Sequence, residues 1–305
     1  MSNRIKGVLS PVVTPFHEDS TVDLQRFTEQ CKWLQSNGIG LAFLGTNSEA
    51  NSLSSDERID MIDAVIDAGL DPNGMMPGTG NCDLPTTVRL TRHAVERDCA
   101  GVLMLPPFYY KGVSDEGLYR YFSEVIQRVG DERLRIYLYH IPPVAQVGIT
   151  LPLIEQLLKS YPSVVAGVKD SSGDWSNTQA MLERFAHEGF DVFAGSETFL
   201  LQTLRAGGAG CISATANVNA QAIDALYRSW QGPDADSQQK DLDKIRQIFQ
   251  RFPMIPALKS AISHWSSNGQ WARVRPPLMA LSQEQHRDLI GQLQDAGFHI
   301  RGLNK

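Results

Sequence analysis

Cysteine is scarce in this chain, and its spacing excludes two classes of protein. The four cysteines form no Cys-x-x-Cys pair and have no histidine cluster near them; they stand at Cys31, Cys82, Cys99 and Cys211. A disulfide-stabilised secreted domain and a zinc-binding module both need closer or paired thiols. The spacing therefore predicts reduced, buried thiols and no metal site.

Excess positive charge and long apolar runs are also missing. The net charge is −6 and the sequence pI is about 5.7, which leaves no basic surface for nucleic acid or for an anionic membrane. No run of about 18 apolar residues occurs, and residues 1–7 contain no apolar signal-peptide core. We therefore expect a soluble, cytoplasmic protein whose partner is a small molecule.

What the chain does have is a repeated alternation of short apolar runs and longer amphipathic segments over the first 230 residues. Eight of the short runs are predicted strands: 8–13, 41–44, 75–78, 102–105, 135–139, 164–169, 191–194 and 211–213. Eight strands, each followed by a helix, predict a single α/β domain over 1–230, a (β/α)8 TIM barrel. A doubly wound sheet would need a glycine-rich phosphate turn after the first strand, where Ser10-Pro11-Val12 stands.

Helix signals support this alternation. A first helix is indicated by apolar residues three or four apart at Leu24, Phe27, Cys31 and Leu34. Ser54 and Glu57 form a capping box before another helix. Beyond Gly232 only helical patterns remain, at 237–251, 255–265 and 283–296. We expect residues 231–305 to be a C-terminal extension of three helices packed on the barrel.

A lysine ends the sixth predicted strand. Five uncharged residues, 164–168, precede Lys169, as expected for a strand buried on both faces. Burial disfavours the ammonium form of an amine, so Lys169 is a candidate nucleophile for Schiff-base formation. The alternative is a lysine that extends from the barrel rim into solvent.

The other predicted strand ends carry mostly neutral polar side chains, including Thr46, Asn47 and Tyr139. The carboxyl ends of barrel strands meet at one face, so these groups should surround Lys169. A substrate carbonyl attacked by the amine, with a tyrosine hydroxyl moving protons, suits this set. Tyrosines at a barrel rim also serve simply in packing, and Thr46 and Asn47 could form a helix-entry loop. Strand alternation directs His140 away from the pocket.

Several motifs follow one another in a specific order: Val13-Thr14-Pro15, Gly45-Thr46-Asn47-Ser48-Glu49, Phe108-Tyr109-Tyr110, Tyr139-His140-Ile141-Pro142, Gly167-Val168-Lys169-Asp170 and Gly207-Gly208-Ala209-Gly210-Cys211-Ile212-Ser213. In these motifs, from Gly7 to about Phe298, the chain resembles the dihydrodipicolinate synthase and N-acetylneuraminate lyase superfamily. Its members are class I aldolases that form a Schiff base with pyruvate.

The resemblance implies specific roles. Lys169 would be the Schiff-base amine and Tyr139 the general acid and base. Thr46 would relay protons between Tyr139 and Tyr110, the latter contributed by a neighbouring subunit. Thr46 and Asn47 would hold the pyruvyl carboxylate. The remaining substrate contacts implied are Gly195, Ser171, Glu197, Thr198, Ile212, Ser213 and Val144. The imine needs no metal or other cofactor, and the family's habit is a dimer or a dimer of dimers, a homotetramer.

One departure from the family's pattern bears on the substrate. Synthases that condense aspartate semialdehyde carry an arginine where this chain has Pro143-Val144. Val144 cannot hold a carboxylate as a guanidinium does, so we do not expect a dihydrodipicolinate synthase.

The expected function is a class I lyase that cleaves or forms a 4-hydroxy-2-oxo acid, giving pyruvate plus an aldehyde. Hydroxyl-binding side chains in the pocket favour a 2-keto-3-deoxy sugar acid or 4-hydroxy-2-oxoglutarate as substrate. The alternatives are a keto-deoxy acid dehydratase or a hydratase-aldolase that uses the same imine, and a non-catalytic binding protein on this scaffold.

Overall fold

Seven parallel strands form the inner sheet of the protein in a computed structural model, which describes residues 4–303. They are β1 (Gly7–Ser10), β2 (Gly40–Leu41), β3 (Val102–Met104), β4 (Ile136–His140), β5 (Val165–Asp170), β6 (Asp191–Ala194) and β7 (Gly210–Ile212). Their order in the curled sheet is β2-β1-β7-β6-β5-β4-β3. All seven are short and almost wholly buried, as expected for a parallel sheet covered by helices.

The predicted strand at 75–78 is the one that does not form as a strand. It makes only isolated parallel bridges, Leu41 with Met75 and Gly78 with Leu103. Its backbone nevertheless spans the gap between β2 and β3, because Met76 N donates to Leu41 O at 2.8 Å and Thr79 N to Leu103 O at 3.0 Å. Pro77 lacks the N–H that would continue the ladder toward β3. The sheet is thus closed as a TIM-barrel-like ring of seven strands and one irregular segment.

Nine helices surround the barrel over the described residues up to 229: α1 (Leu24–Ser36), α2 (Ser55–Asp67), α3 (Leu84–Glu96), α4 (Asp115–Val129), α5 (Pro142–Ala145), α6 (Leu151–Ser160), α7 (Trp175–Phe185), α8 (Leu200–Arg205) and α9 (Ala220–Ser229). The predicted capping box is confirmed at the start of α2, where Ser54 N donates to Glu57 Oε2 at 2.8 Å and Glu57 N to Ser54 Oγ at 3.2 Å. Phe27, Cys31 and Leu34 of α1 are buried as their spacing predicts, and Leu24 is half-buried.

Three further helices follow: α10 (Ala235–Gln250), α11 (Met254–Trp265) and α12 (Gln283–Asp295). They share a hydrophobic cluster with loops of the barrel: Phe249, Leu258 and Leu289 pack with Val13 and Ala214. Because Val13 follows β1 and Ala214 follows β7, this cluster lies at the carboxyl ends of the strands. The division into units 1–230 and 231–305 stays a prediction, and its first three and last two residues lie outside the described range.

All four cysteines lie among the described residues, and none is in a disulfide. Burial raises the pKa of Cys31 and Cys211 well above the usual thiol value. No helix between residues 4 and 303 is long and apolar enough to cross a membrane.

Candidate active site

Lys169 and Tyr139 face each other across neighbouring strands. The parallel register of β4 and β5 pairs Tyr139 directly with Lys169, and each residue is only 2% exposed. Lys169 Nζ lies 3.2 Å from the Tyr139 hydroxyl and 4.3 Å from the centre of its ring. Side chains alternate between the two faces of a strand, and residues paired in register on neighbouring strands point to the same face. For Lys169 and Tyr139 this face is the inside of the barrel. The amine and the phenol are therefore close enough to exchange a proton.

Thr46 completes this group from a third segment. Its Oγ1 lies 3.4 Å from the Tyr139 hydroxyl, and it begins a 3-10 turn, Thr46–Ser48, after β2. The first N–H groups of such a turn have no acceptor within it. They remain available for an anionic ligand, as does the side chain of Asn47. The structure thus brings together the predicted amine, phenol and hydroxyl.

His140 and Asp170 also pair in register, on the opposite face of the two strands. His140 Nδ1 accepts a hydrogen bond from Ile149 N at 2.8 Å, and Asp170 Oδ2 accepts one from Thr178 Oγ1 at 2.6 Å. Burial lowers the pKa of His140. The prediction that His140 points away from the pocket is confirmed.

A cavity of about 690 Å³ opens above Lys169 at the carboxyl ends of the strands. It is larger than a three-carbon acid needs. Its surface includes eight predicted site residues: Thr46, Asn47, Tyr139, Val144, Lys169, Ser171, Gly195 and Thr198. A larger depression, of about 1270 Å³, lies at the other end of the barrel beside Arg4 and Arg135. Residues at the amino ends of barrel strands generally serve stability, so the cavity above Lys169 is the candidate site.

Three other predicted substrate contacts, Glu197, Ser213 and Ile212, are buried and do not line the cavity. Glu197 is 1% exposed, and its carboxylate accepts hydrogen bonds from the hydroxyls of Ser213 and Thr215. Ser213 and Ile212 are themselves fully buried. All three lie behind the cavity surface, and protein donors already occupy the Glu197 carboxylate. Their predicted contacts with substrate stay a prediction.

Tyr110 is not part of the cavity either. It is 69% exposed and stacks edge-to-face on Tyr109, with 5.3 Å between ring centres. Its predicted role depends on a neighbouring subunit and stays a prediction.

Arg246 lines the cavity and was missed by sequence reasoning. It lies on α10, and its Nη1 is 3.2 Å from Glu197 Oε2. The predicted site residues all belong to strand ends and the loops that follow them, whereas this side chain comes from a helix beyond the barrel. Asp243, Gln247 and Gln250 line the same cavity from α10. Their spacing of three or four residues places them on one face of the helix, and this polar face was the signal in the sequence that could have indicated them.

A buried ion pair supports the loop that carries Thr46. Lys259 of α11 donates to Glu49 Oε1, and neither side chain is exposed. Glu49 Oε2 also accepts from Arg275 N at 3.0 Å, and Lys259 Nζ donates to Arg273 O at 2.7 Å. Burial lowers the pKa of Lys259 to about 8, against the opposing effect of Glu49. Helix α11 and the segment after it thereby hold the C-terminal end of the Thr46–Ser48 turn.

No group of three or more histidine, cysteine or acidic side chains within residues 4–303 is arranged to hold a metal ion. The polar groups of the cavity include one amine, hydroxyls, amides, the Arg246 guanidinium and the carboxylates of Asp170 and Asp243. Such a set can bind and protonate an organic acid.

The sequence model of the dihydrodipicolinate synthetase family matches residues 4–296. The chain belongs to this family. A DapA-like lyase of uncharacterised function from Chloroflexus aurantiacus is 32% identical over 283 residues, which cover 92% of this chain and 93% of that protein. Members of the family are class I lyases, either aldolases or synthases.

Two solved structures of the family are similar throughout. Dihydrodipicolinate synthase from Agrobacterium tumefaciens superposes with a TM-score of 0.89 at 31% identity, covering 96% of this chain and 99% of the other. YagE, a prophage protein of the family from Escherichia coli solved in complex with pyruvate, has a TM-score of 0.88 at 28% identity, with the same coverage.

Proposed function

We propose that this family member is a lyase that cleaves or forms the C3–C4 bond of a 4-hydroxy-2-oxo acid through an imine on Lys169. The observation that carries the proposal is the 3.2 Å separation between the Lys169 amine and the Tyr139 hydroxyl at the base of the cavity. YagE binds pyruvate on a similar fold, which supports a pyruvyl group as the part of the substrate next to Lys169.

The proposed reaction begins when the unprotonated Lys169 amine attacks the C2 carbonyl. The resulting carbinolamine loses water to give an imine, and Tyr139 supplies and removes the protons of these steps. Tyr139 then accepts the proton of the C4 hydroxyl while the C3–C4 bond breaks. The bond's electron pair forms an enamine with the C2 imine, and the C4 fragment leaves as an aldehyde. Protonation at C3 and hydrolysis release pyruvate and regenerate the amine.

The N–H groups at the start of the Thr46–Ser48 turn and the Asn47 side chain bind the pyruvyl carboxylate in this proposal. Thr46 Oγ1, 3.4 Å from Tyr139, holds the phenol in place and passes its proton on. Val144 stands on the cavity surface where an arginine would be required to bind aspartate semialdehyde, so the proposed activity is not that of a dihydrodipicolinate synthase.

Tyr110 enters the proposal through a homodimer. Tyr109 and Tyr110 are 74% and 69% exposed, unusually open positions for two adjacent aromatic rings. A second copy of the chain would cover them and place Tyr110 next to Thr46. Light scattering should show a dimer or a dimer of dimers, and Tyr110→Phe should lower kcat while Tyr109→Phe does not.

The decisive experiment is reduction with borohydride in the presence of pyruvate, followed by mass spectrometry of the peptides. Labelling of Lys169 supports the imine, and its loss in Lys169→Met with retention in the surface control Lys159→Met confirms the site. Labelling of another lysine, or none, refutes the proposal. Pyruvate release from 4-hydroxy-2-oxo acids, coupled to lactate dehydrogenase, separates a lyase from a dehydratase, which releases no pyruvate.

A further inference from the structure

Helix α10 presents a polar face to the cavity. Asp243, Arg246, Gln247 and Gln250, here called the α10 face, stand at positions i, i+3, i+4 and i+7 of the helix, and all line the cavity above Lys169. The cavity surface contributed by the next segment of chain, at Met254, Ile255 and Pro256, is apolar. A ligand that extends beyond its pyruvyl end therefore meets hydrogen-bonding groups on α10, in addition to the hydroxyls of Ser171, Ser196 and Thr198.

Arg246 carries the positive charge on this face, and Glu197 neutralises it. Arg246 Nη1 lies 3.2 Å from Glu197 Oε2 and 3.3 Å from Ser213 Oγ, and the two ionic side chains are 12% and 1% exposed. The pair is largely buried, and solvent and salt screen a buried ion pair less than an exposed one. Nη1 of Arg246 is therefore engaged before any ligand arrives, whereas its Nε is buried without a partner among the described residues.

The other three side chains of the α10 face have free hydrogen-bonding capacity. Asp243 Oδ1 accepts from Gln239 Nε2 at 2.9 Å, whereas its Oδ2 has no partner within residues 4–303. The side-chain amides of Gln247 and Gln250 likewise make no hydrogen bond to any described residue. One carboxylate oxygen and two amides can thus accept from and donate to ligand hydroxyls.

The charge of this region decides between ligands. Two carboxylates, Asp243 and Glu197, stand against one guanidinium, Arg246, so the region is negative overall. Burial raises the pKa of Asp243, with a further contribution from Glu197, as expected for two acids close together. A second carboxylate on the ligand would be repelled here, and Val144 offers no compensating cation.

We propose that the α10 face binds the uncharged, hydroxylated tail of the substrate. Asp243 is the principal hydrogen-bond acceptor for a hydroxyl group of that tail. The inference rests on the proposed function, which fixes the pyruvyl end at Lys169. The aldehyde released is then a neutral polyhydroxy aldehyde, and a substrate with a terminal carboxylate is disfavoured.

Three substrates that differ only beyond C4 test this assignment. They are 2-keto-3-deoxygluconate with a hydroxylated tail, 4-hydroxy-2-oxoglutarate with a carboxylate tail, and 4-hydroxy-2-oxohexanoate with an alkyl tail. The parent protein should have its highest kcat/KM for the hydroxylated tail. Asp243→Asn should lower that value about tenfold or more, because a charged acceptor is lost. The same substitution should raise kcat/KM for the substrate with the carboxylate tail, because a repulsive charge is lost. It should leave kcat/KM for the substrate with the alkyl tail unchanged.

Asp241→Asn is the matched control, since Asp241 is exposed on the same helix and does not line the cavity. A merely structural role for Asp243 would lower all three kcat/KM values in parallel, and that result would overturn the inference. A parent that prefers the carboxylate tail would overturn it too. Borohydride trapping of pyruvate on Lys169 is run in every variant: trapping with an unchanged substrate preference refutes only the α10 face, whereas no trapping in the parent refutes the proposed function itself.

Discussion

Lys259 and Glu49 form an ion pair in which neither side chain has any exposed surface. One residue lies on α11 and the other ends the turn that carries Thr46 and Asn47, so the pair joins residues 210 positions apart. The carboxylate-binding part of the proposed site thus depends on a helix that follows the barrel.

We expect Lys259→Met to destabilise the protein by about 3–5 kcal/mol, because it leaves the Glu49 carboxylate buried without its cation. Glu49→Gln should be destabilising for the converse reason. The double variant should lose less than the sum of the two, since it leaves no unpaired buried charge. Denaturant unfolding of the four proteins measures this coupling, and strict additivity would show that the pair is not energetically linked.

Tyr139→Phe removes the hydroxyl that lies 3.2 Å from the Lys169 amine. We expect kcat to fall by about 10²–10⁴-fold, the usual contribution of a general acid or base. Pyruvate should still be trapped on Lys169 by borohydride, although more slowly. The control is Tyr137→Phe on the same strand, whose hydroxyl lies 3.5 Å from Asp191 at the beginning of β6. Equal losses in the two variants would contradict a specific role for Tyr139.

Gly195→Ala should lower catalytic efficiency more than it lowers the stability of the fold. A Cβ at this position would lie 2.1 Å from Ser171 Oγ and 2.7 Å from Asp170 O, so Ser171 would have to move. We expect kcat/KM to fall by up to about 10²-fold through misplacement of substrate contacts, with a stability loss of about 1–3 kcal/mol. Gly291→Ala meets no atom within 4 Å and is the control; its kcat/KM should equal that of the parent. An unchanged kcat/KM in Gly195→Ala would refute the prediction.

His140 should make stability depend on pH. Its pKa is lowered from 6.5 by burial, and its Nδ1 accepts a hydrogen bond from Ile149 N. The unfolded chain therefore binds this proton more readily, so the contribution of His140 is fully present above pH 6.5 and is lost as pH falls through its folded pKa. His140→Asn retains an acceptor but cannot titrate. Between pH 7 and 5, the unfolding free energy of the parent should fall more than that of the variant, and parallel curves would contradict this.

The sequence by itself determined the barrel-like class, the helix periodicity and the pairing of Lys169 with Tyr139 on an inner face. Each of these follows from a local rule: apolar runs predict buried strands, and alternation assigns neighbouring residues to opposite faces. The same rule directed His140 outward. The presence of Thr46 at the same end of the barrel as Tyr139 followed from a general property of barrels, since the carboxyl ends of their strands meet. The direct link between the two side chains was implied by the family resemblance.

The tertiary structure decided what depended on partners distant in the chain. Pro77 lacks the backbone N–H that a regular strand would use at this position. Residues 75–79 nevertheless span the gap between β2 and β3, because both strands form hydrogen bonds with this segment. Glu197 was withdrawn from the cavity because Arg246, 49 residues later, and the hydroxyls of Ser213 and Thr215 reach its carboxylate. Contacts between side chains so far apart in the sequence do not affect the local spacing of apolar residues. Only the packing of α10 against the barrel could therefore reveal them.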